Sequence, residues 1–132
     1  MTWTVRHLTP TVDAQTDAAI ANAGDPQQLP RWAAGLSAGI RNENGRWITD
    51  SPMGTVEVEF VGPIKLGVLD YDVTMPDGAV VHNPLRVLRN DRGSEVVFSI
   101  FKRTGMTDDE FEADATLVHE DLARLKVLVE DN

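Results

Sequence analysis

The sequence predicts an α+β protein in which a curved antiparallel sheet wraps around one long C-terminal helix. Residues 38–102 contain short segments of alternating apolar and polar residues separated by turn residues, which is typical of antiparallel strands joined by hairpins. After residue 107, apolar residues recur at the spacing of an amphipathic helix. Such a helix has to bury its apolar side, and the concave face of the sheet provides the surface.

The beginning of the chain predicts a strand followed by a short helix. Residues 3–12 alternate in the manner of a strand, and Pro10 should lie at an edge or a bulge. Residues 16–23 are rich in alanine, which favours a helix. Thr16 is the expected N-cap of this helix, and Gly24 should end it.

A second short helix should follow directly. Asp25 and Pro26 begin it, because proline is favoured at the first helical position, where its missing N–H costs nothing. We expect this helix to run through Trp32 and Ala34.

The middle of the chain predicts a meander whose turns are well marked. Asn44-Gly45 is a strong signal for a two-residue hairpin, and Pro76-Asp77-Gly78 turns the chain again. Pro84 should bulge its strand or place it at an edge. With the first strand included, we expect a sheet of about six or seven strands. The strands predicted after the hairpin turn are residues 46–49, 55–60, 69–74, 80–88 and 95–102.

The final helix has a clear start and a continuous apolar stripe. Thr107 and Glu110 form a capping box, and Asp108 and Asp109 favour the positive end of the helix. A helix over residues 107–130 would be roughly 36 Å long at about 1.5 Å per residue, which is long enough to cross a sheet. The stripe consists of Phe111, Ala115, Val118, Leu122, Leu125 and Val129.

Composition narrows the class of protein. The 132 residues suit a single domain covering residues 1–132. Because cysteine is absent, disulfides, thiolate nucleophiles and cysteine-bound zinc are excluded. A formal net charge of −9 argues against nucleic acid and against an anionic membrane surface. Without a secretion signal or a run of ~20 apolar residues, we expect a cytoplasmic monomer or homodimer with no membrane insertion.

Two segments resemble the SRPBCC or START-like superfamily, which includes polyketide cyclases and lipid-transfer domains. The run DPQQLPRW at residues 25–32 looks like the family's D-P-x-x-L-P-x-W segment. The run GMTDDEF at residues 105–111 is similar to the start of the family's closing helix. The resemblance covers nearly the whole chain. It implies the helix-grip fold, with a cavity between sheet and final helix that commonly holds an apolar or aromatic ligand.

Bulky apolar residues and the tyrosine are the candidate walls of such a cavity. Tyr71 shares the apolar face of its strand, and its hydroxyl needs a partner if it is buried. Tryptophan is a large apolar residue that suits a cavity wall, although core packing is its commoner role. The candidate ligand-binding residues are Trp32, Trp47, Tyr71, Phe98, Val118 and Leu122.

Other polar residues carry weaker signals. Asp70 and Asp72 lie on the strand face opposite the apolar one, so we expect both to face water. His82 and Asn83 are adjacent in a strand, so only one of them can face the cavity. No histidines are spaced for a helical metal motif, and we expect neither a metal nor a cofactor.

Three classes of function stay open at this point. The leading one is a container for a small apolar or aromatic molecule, without dedicated catalytic residues. The second is a polyketide cyclase/dehydratase-like enzyme that holds a reactive chain in a ring-closing geometry, with Tyr71, His82 and Arg86 as candidate proton handlers. The third is an acidic protein-interaction or co-chaperone module.

Overall fold

The computed structural model describes residues 1–131 and has the predicted architecture of curved sheet and long helix. The strand segments are β1 (Thr4–Leu8), β2 (Thr11–Val12), β3 (Arg41–Glu43), β4 (Arg46–Ser51), β5 (Gly54–Phe60), β6 (Tyr71–Thr74), β7 (Val80–Asn83), β8 (Leu85–Asn90) and β9 (Gly93–Lys102). The α-helices are α1 (Thr16–Ala23), α2 (Leu29–Trp32) and α3 (Asp108–Glu130). Short 3₁₀ turns lie at Pro26–Gln28, Ala34–Leu36 and Ile64–Leu66.

Two prolines each divide one strand of the sheet into two segments. β1 and β2 both pair with β9, and the interruption between them contains Pro10, as predicted. β7 and β8 are separated by Pro84, where the sequence predicts an irregularity. Counted this way, the segments form seven antiparallel strands. Hydrogen bonds group them into two sheets, one of β1, β2, β8 and β9 and one in the order β3, β4, β5, β6 and β7, and the chain passes from one sheet to the other at Pro84.

The sheet splits where the divided strand bends at Pro84. β8 pairs with β9, whereas β7 follows β6. Ser99 N donates to Pro84 O at 3.1 Å, and beyond this bond the end of β9 continues beside β1. The Arg103 guanidinium donates to the backbone oxygen of His82 at 3.1 Å and so bridges the split.

Helix α3 buries its stripe as predicted. Its capping box is formed: Glu110 N donates to Thr107 Oγ1 at 3.1 Å, and Thr107 N donates to Glu110 Oε1 at 3.0 Å. The helix packs on α1, α2, β1, β2 and β9. No helix in residues 1–131 is long and apolar enough to cross a membrane. The buried stripe residues are Phe111, Ala115, Val118, Leu122, Leu125 and Val129.

The two short helices differ in detail from the prediction. Gln15, and not Thr16, is the N-cap of α1, because its backbone is still extended while its carbonyl accepts from the amides of Ala18 and Ala19. The predicted second helix is α2 flanked by two 3₁₀ turns. Pro30 lies in the first turn of α2 and has no N–H to donate to Pro26, which limits a continuous α-helical ladder.

Candidate functional site

A row of three aromatic side chains lies on the inner face of the sheet. The rings of Phe60 and Tyr71 have centroids 5.6 Å apart, and those of Tyr71 and Phe98 are 6.3 Å apart. We call these residues the aromatic row. Tyr71 and Phe98, two of the predicted wall residues, therefore contact each other. Trp32, Val118 and Leu122 are buried in the same core, whereas Trp47 is half-buried.

An opening of about 530 Å³ lies where β4 begins and β5 ends. Trp47 and Val58 are paired in register and share the inner face of the sheet. Phe60 joins this opening to the aromatic row, and Pro26 and Ile64 line it from the adjacent turns. We call it the grip cleft. Its volume falls within the range of small-molecule sites, roughly 300–1,000 Å³.

A wider depression of about 770 Å³ lies on the outer surface of α3. It is lined by Arg31, Ala123, Arg124 and Val127, among others, and shares no lining residue with the grip cleft. It lies beside α2 and α3 and is lined by no residue of the sheet.

A much smaller opening, of about 40 Å³, lies in the split between β7 and β9. We call it the sheet crevice. Asn83, Phe98 and Val118 line it together with the charged side chains of Arg103 and Asp114. The crevice exists because the divided strand leaves β9 at Pro84, as described above.

Two carboxylates of α3 belong to this inner region although the sequence-based candidates omit them. Burial raises the pKa of Asp114, and the nearby Arg103 acts in the opposite direction. Burial also raises the pKa of Asp121, although that carboxylate accepts from Ala34 N at 3.2 Å and pairs with Arg124. Their spacing of two helical turns, each directly before a stripe residue, is the sequence signal that could have indicated them.

The hydroxyl of Tyr71 lies within the field of these carboxylates. Burial, followed by the charges of Asp121 and Asp114, raises its pKa far above the ordinary tyrosine value. Tyr71 is therefore a neutral phenol at physiological pH.

The three candidate proton handlers do not share one face of the sheet. Tyr71 points inward and is paired in register with Asn83. His82 is paired with Asp72 on the outer face, because neighbouring strand residues point to opposite sides. Arg86 is exposed between the buried neighbours of β8 and also faces outward. The structure thus separates Tyr71 from the other two.

Asp70 is buried, contrary to the expectation that it faces water. Its carboxylate accepts from Arg86 Nε and Nη2, each at 2.9 Å, and from Leu85 N at 3.0 Å. The Arg86 hydrogen bonds are the main reason that the pKa of Asp70 is lowered. Leu85 follows the break at Pro84, so the carboxylate satisfies an amide next to an irregular point of the sheet. Asp72, half-buried, is 2.6 Å from Nδ1 of His82.

Comparison with known proteins gives similarity in structure only. No family model matches the chain, and no curated protein matches it. An uncharacterised protein from Bacillus thuringiensis superposes with a TM-score of 0.73 at 16% identity, over 96% of this chain and 98% of that one. For Ara h 8.0201 the TM-score is 0.64 at 15% identity, over 98% of this chain and 99% of that one.

DynU16, a protein of the dynemicin biosynthetic locus, superposes with a TM-score of 0.69 at 16% identity over 96% of this chain. The match covers 47% of DynU16, so this chain spans about half of its length. At such low sequence identities, structural similarity shows a shared fold and does not show a shared activity. The chain therefore has a helix-grip fold, a curved antiparallel sheet closed by a long C-terminal helix.

Proposed function

We propose that the protein binds a small apolar or aromatic molecule at the inner face of its sheet, entering through the grip cleft. The observation that carries this proposal is the position of Trp47 and Phe60, two half-buried aromatic side chains in a concave opening of about 530 Å³. A ligand that covers their exposed parts removes apolar surface from water, which contributes about 25 cal/mol per Å².

The other predicted wall residues form the deeper side of the proposed site. Phe60 connects the cleft to Tyr71 and Phe98 through the aromatic row. In this proposal Trp32, Val118 and Leu122 support the row from the side of the helices, and a ligand contacts Trp47 first.

The fluorescence of Trp47 provides a direct test. In the double variant Trp3→Phe/Trp32→Phe, Trp47 is the remaining tryptophan. The Trp32 indole N–H is buried without a hydrogen-bond partner among the described residues, so phenylalanine sacrifices no bond there. Titration with fatty acids, flavonoids and aromatic polyketides should change the Trp47 emission until it saturates.

The matched control keeps Trp3 in place of Trp47. Trp3 is 49% exposed just before β1, and the variant Trp32→Phe/Trp47→Phe should not respond to the same compounds. In the unmodified protein, a ligand at ~100 times its Kd should add roughly 2.7 kcal/mol of stability and raise Tm by several degrees. Equal responses from Trp3 and Trp47, or no response to any compound, would refute the proposal. Binding to a basic protein partner would then become the first candidate.

A cyclase/dehydratase-like enzyme is a second candidate, which the inward carboxyl groups of α3 favour. A carboxyl group whose pKa is raised by burial can hold a proton closer to neutral pH and so act as a general acid. Asp121 and Tyr71 are the candidate proton handlers on the inner face.

Product analysis separates the two candidates. A container returns its ligand unchanged, whereas an enzyme returns a ring-closed or dehydrated product. If the protein is such an enzyme, the variants Tyr71→Phe and Asp121→Asn should form product more slowly than the unmodified protein. The variant His82→Ala is the control, because His82 faces outward and its loss should leave the rate unchanged. A rate that depends on His82 and not on Tyr71 would contradict this assignment.

A further inference from the structure

A second stripe runs along α3 on the side opposite its buried stripe. Each of its residues follows a residue of the buried stripe by two positions, which places it about 200° around the helix. Every residue of this second stripe is exposed. We call it the outer seam, and it consists of Ala113, Leu117, Glu120, Arg124, Val127 and Asp131.

The outer seam carries the two most exposed large apolar side chains of α3. Leu117 is 56% exposed and Val127 is 59% exposed. Val127 lines the wider depression beside α2 and α3, whereas Leu117 lies outside it and nearer the start of the helix. The same surface therefore offers both an exposed leucine and a concave region that can accept one.

Two opposite charges lie between these apolar residues. Arg124 Nε donates to the backbone oxygen of Trp32 at 3.2 Å, and the guanidinium also pairs with Asp121. These bonds hold the guanidinium at the surface, where three of its five N–H donors are left over. Within residues 1–131 the ion-pair partner of Arg124 is Asp121 and not Glu120, although Glu120 lies one turn earlier on the same side of the helix. The carboxylate of Glu120 is thus available to a cation from outside the chain.

The outer seam is complementary to itself when a second copy runs antiparallel. Leu117 and Val127 lie equally far from the position of Leu122, in opposite directions along the helix, and so do Glu120 and Arg124. A two-fold axis at this position sets Leu117 level with Val127 of the partner subunit. It also sets Glu120 level with Arg124 of the partner subunit. Parallel pairing would instead place each charge beside its own copy, which is repulsive.

We infer that the outer seam binds the outer seam of a second copy of this chain, antiparallel, and forms a weak homodimer. Leu117 enters the depression of the partner subunit beside its Val127, and the two-fold axis repeats this contact. The charged pairs between Glu120 and Arg124 select the register, as polar residues do in the seam of a coiled coil.

The dimer should form only at high protein concentration. A seam of one helix is smaller than the roughly 20–30 residues a side of a standard interface, and a net charge of −9 on each copy opposes association. Unfolding experiments on dilute protein therefore measure the monomer. The seam shares no residue with the grip cleft, so this inference and the proposed function can fail separately.

Sedimentation velocity over a series of protein concentrations tests the apolar contact. The unmodified protein should shift from one chain to two as its concentration rises. Leu117→Ser should raise the Kd of the dimer at least ~10-fold, because it removes the central apolar contact. Leu88→Ser is the matched control, since Leu88 is 53% exposed on β8, and it should leave the Kd unchanged. A single chain at every concentration, or equal effects of the two variants, would overturn the inference.

Exchanging the charges tests the register. Glu120→Arg and Arg124→Glu should each raise the Kd at least ~10-fold, because like charges then meet across the two-fold axis. A mixture of the two variants should dimerise within ~3-fold of the unmodified protein, since every arginine again meets a glutamate. A mixture that associates no better than either variant alone would contradict this register. If Arg124→Glu does not fold, an unchanged Kd in Glu120→Arg would do so.

Cysteine variants test the direction of pairing, because the chain has no cysteine of its own. An oxidised mixture of Leu117→Cys and Val127→Cys should form disulfides mainly between the two variants, and mass spectrometry identifies them. In an antiparallel dimer of one variant the two thiols lie about 15 Å apart along the helix, at about 1.5 Å per residue, which is too far for a disulfide. Disulfides formed mainly within each variant would indicate parallel pairing and overturn the inference.

Discussion

At the scale of single residues, Asp70 links acid–base chemistry to the stability of the sheet. Its pKa is lowered by Arg86 and by the amide of Leu85, so the folded protein holds its proton more weakly than the unfolded chain does. A lowered pKa contributes stability above the unfolded value of ~3.9. That contribution is lost as the pH falls through the folded value.

Asp70→Asn should therefore destabilise the protein in a pH-dependent way. The residue is 7% exposed, although its partner Arg86 is half-exposed. We expect a loss of about 1–3 kcal/mol in the free energy of unfolding at pH 7. The difference from the unmodified protein should begin to shrink near pH 5, roughly, and should keep shrinking below ~3.9, as the pH falls through the lowered pKa of Asp70 and the unmodified protein takes up this proton.

Urea denaturation at pH 7 and at lower pH values down to about pH 2 measures this difference. Glu59→Gln, which changes an exposed carboxylate on β5, should shift the unfolding free energy by less than ~0.5 kcal/mol. A penalty for Asp70→Asn that stays constant across this pH range would show that packing, and not the carboxylate's charge, explains the effect.

At the scale of elements, α3 closes the sheet through its apolar stripe. Leu122 is 2% exposed in the middle of that stripe. Leu122→Ala should lower the free energy of unfolding by about 2–5 kcal/mol, because it removes buried methyl groups and leaves a cavity. Chemical denaturation measures the loss.

Leu117→Ala on the same helix provides the matched control. Leu117 is 56% exposed, so the same chemical change should cost less than ~0.5 kcal/mol. Equal effects at Leu117 and Leu122 would mean that the stripe does not hold the helix on the sheet.

Most elements can be predicted because their determinants are local. Asn44 and Gly45 both have positive φ, 55° and 84°, as their hairpin turn requires. The capping box and stripe of α3 likewise follow from spacing alone. The short helices are harder to predict, since Gln15 replaces Thr16 as N-cap and Pro30 interrupts the second helix.

The candidate site depends on contacts that spacing does not reveal. Alternation predicts that Tyr71 faces inward, but the outward placement of His82 depends on its register with Asp72. Asp70 is buried because Leu85, far along the chain, has an amide to satisfy beside Pro84. The inward position of Asp121 depends on packing of α3 against the residues that follow α2.

At the scale of the whole molecule, charge opposes folding. A formal net charge of −9 on 132 residues makes the folded chain repel itself. Raising NaCl from ~20 mM to ~200 mM shortens the Debye length from about 20 Å to about 7 Å and should raise Tm by a few degrees. A differential scanning experiment measures this change.

Sucrose at a matched osmolality controls for effects other than screening. A Tm that falls on addition of salt would mean that surface ion pairs such as Arg6 with Glu112 outweigh the general repulsion. Exposed pairs of this type contribute about 0–1 kcal/mol each, so we expect repulsion to dominate.

The break at Pro84 should divide the structure into two cooperative units, because within residues 1–131 no strand ladder joins the two sheets across it. β8 and β1 pair with β9, and α3 packs on β9 and β1, whereas β7 pairs with β6, which pairs with β5. Amide hydrogen exchange should separate these groups, with β9 protected up to global unfolding and β3 to β7 exchanging through a less costly local opening. In such an opening Phe60 and Tyr71 would move with β5 and β6, whereas Phe98 would stay with β9 and α3, so the aromatic row would part. A local opening of this kind would let a guest pass from the grip cleft to the deeper wall residues.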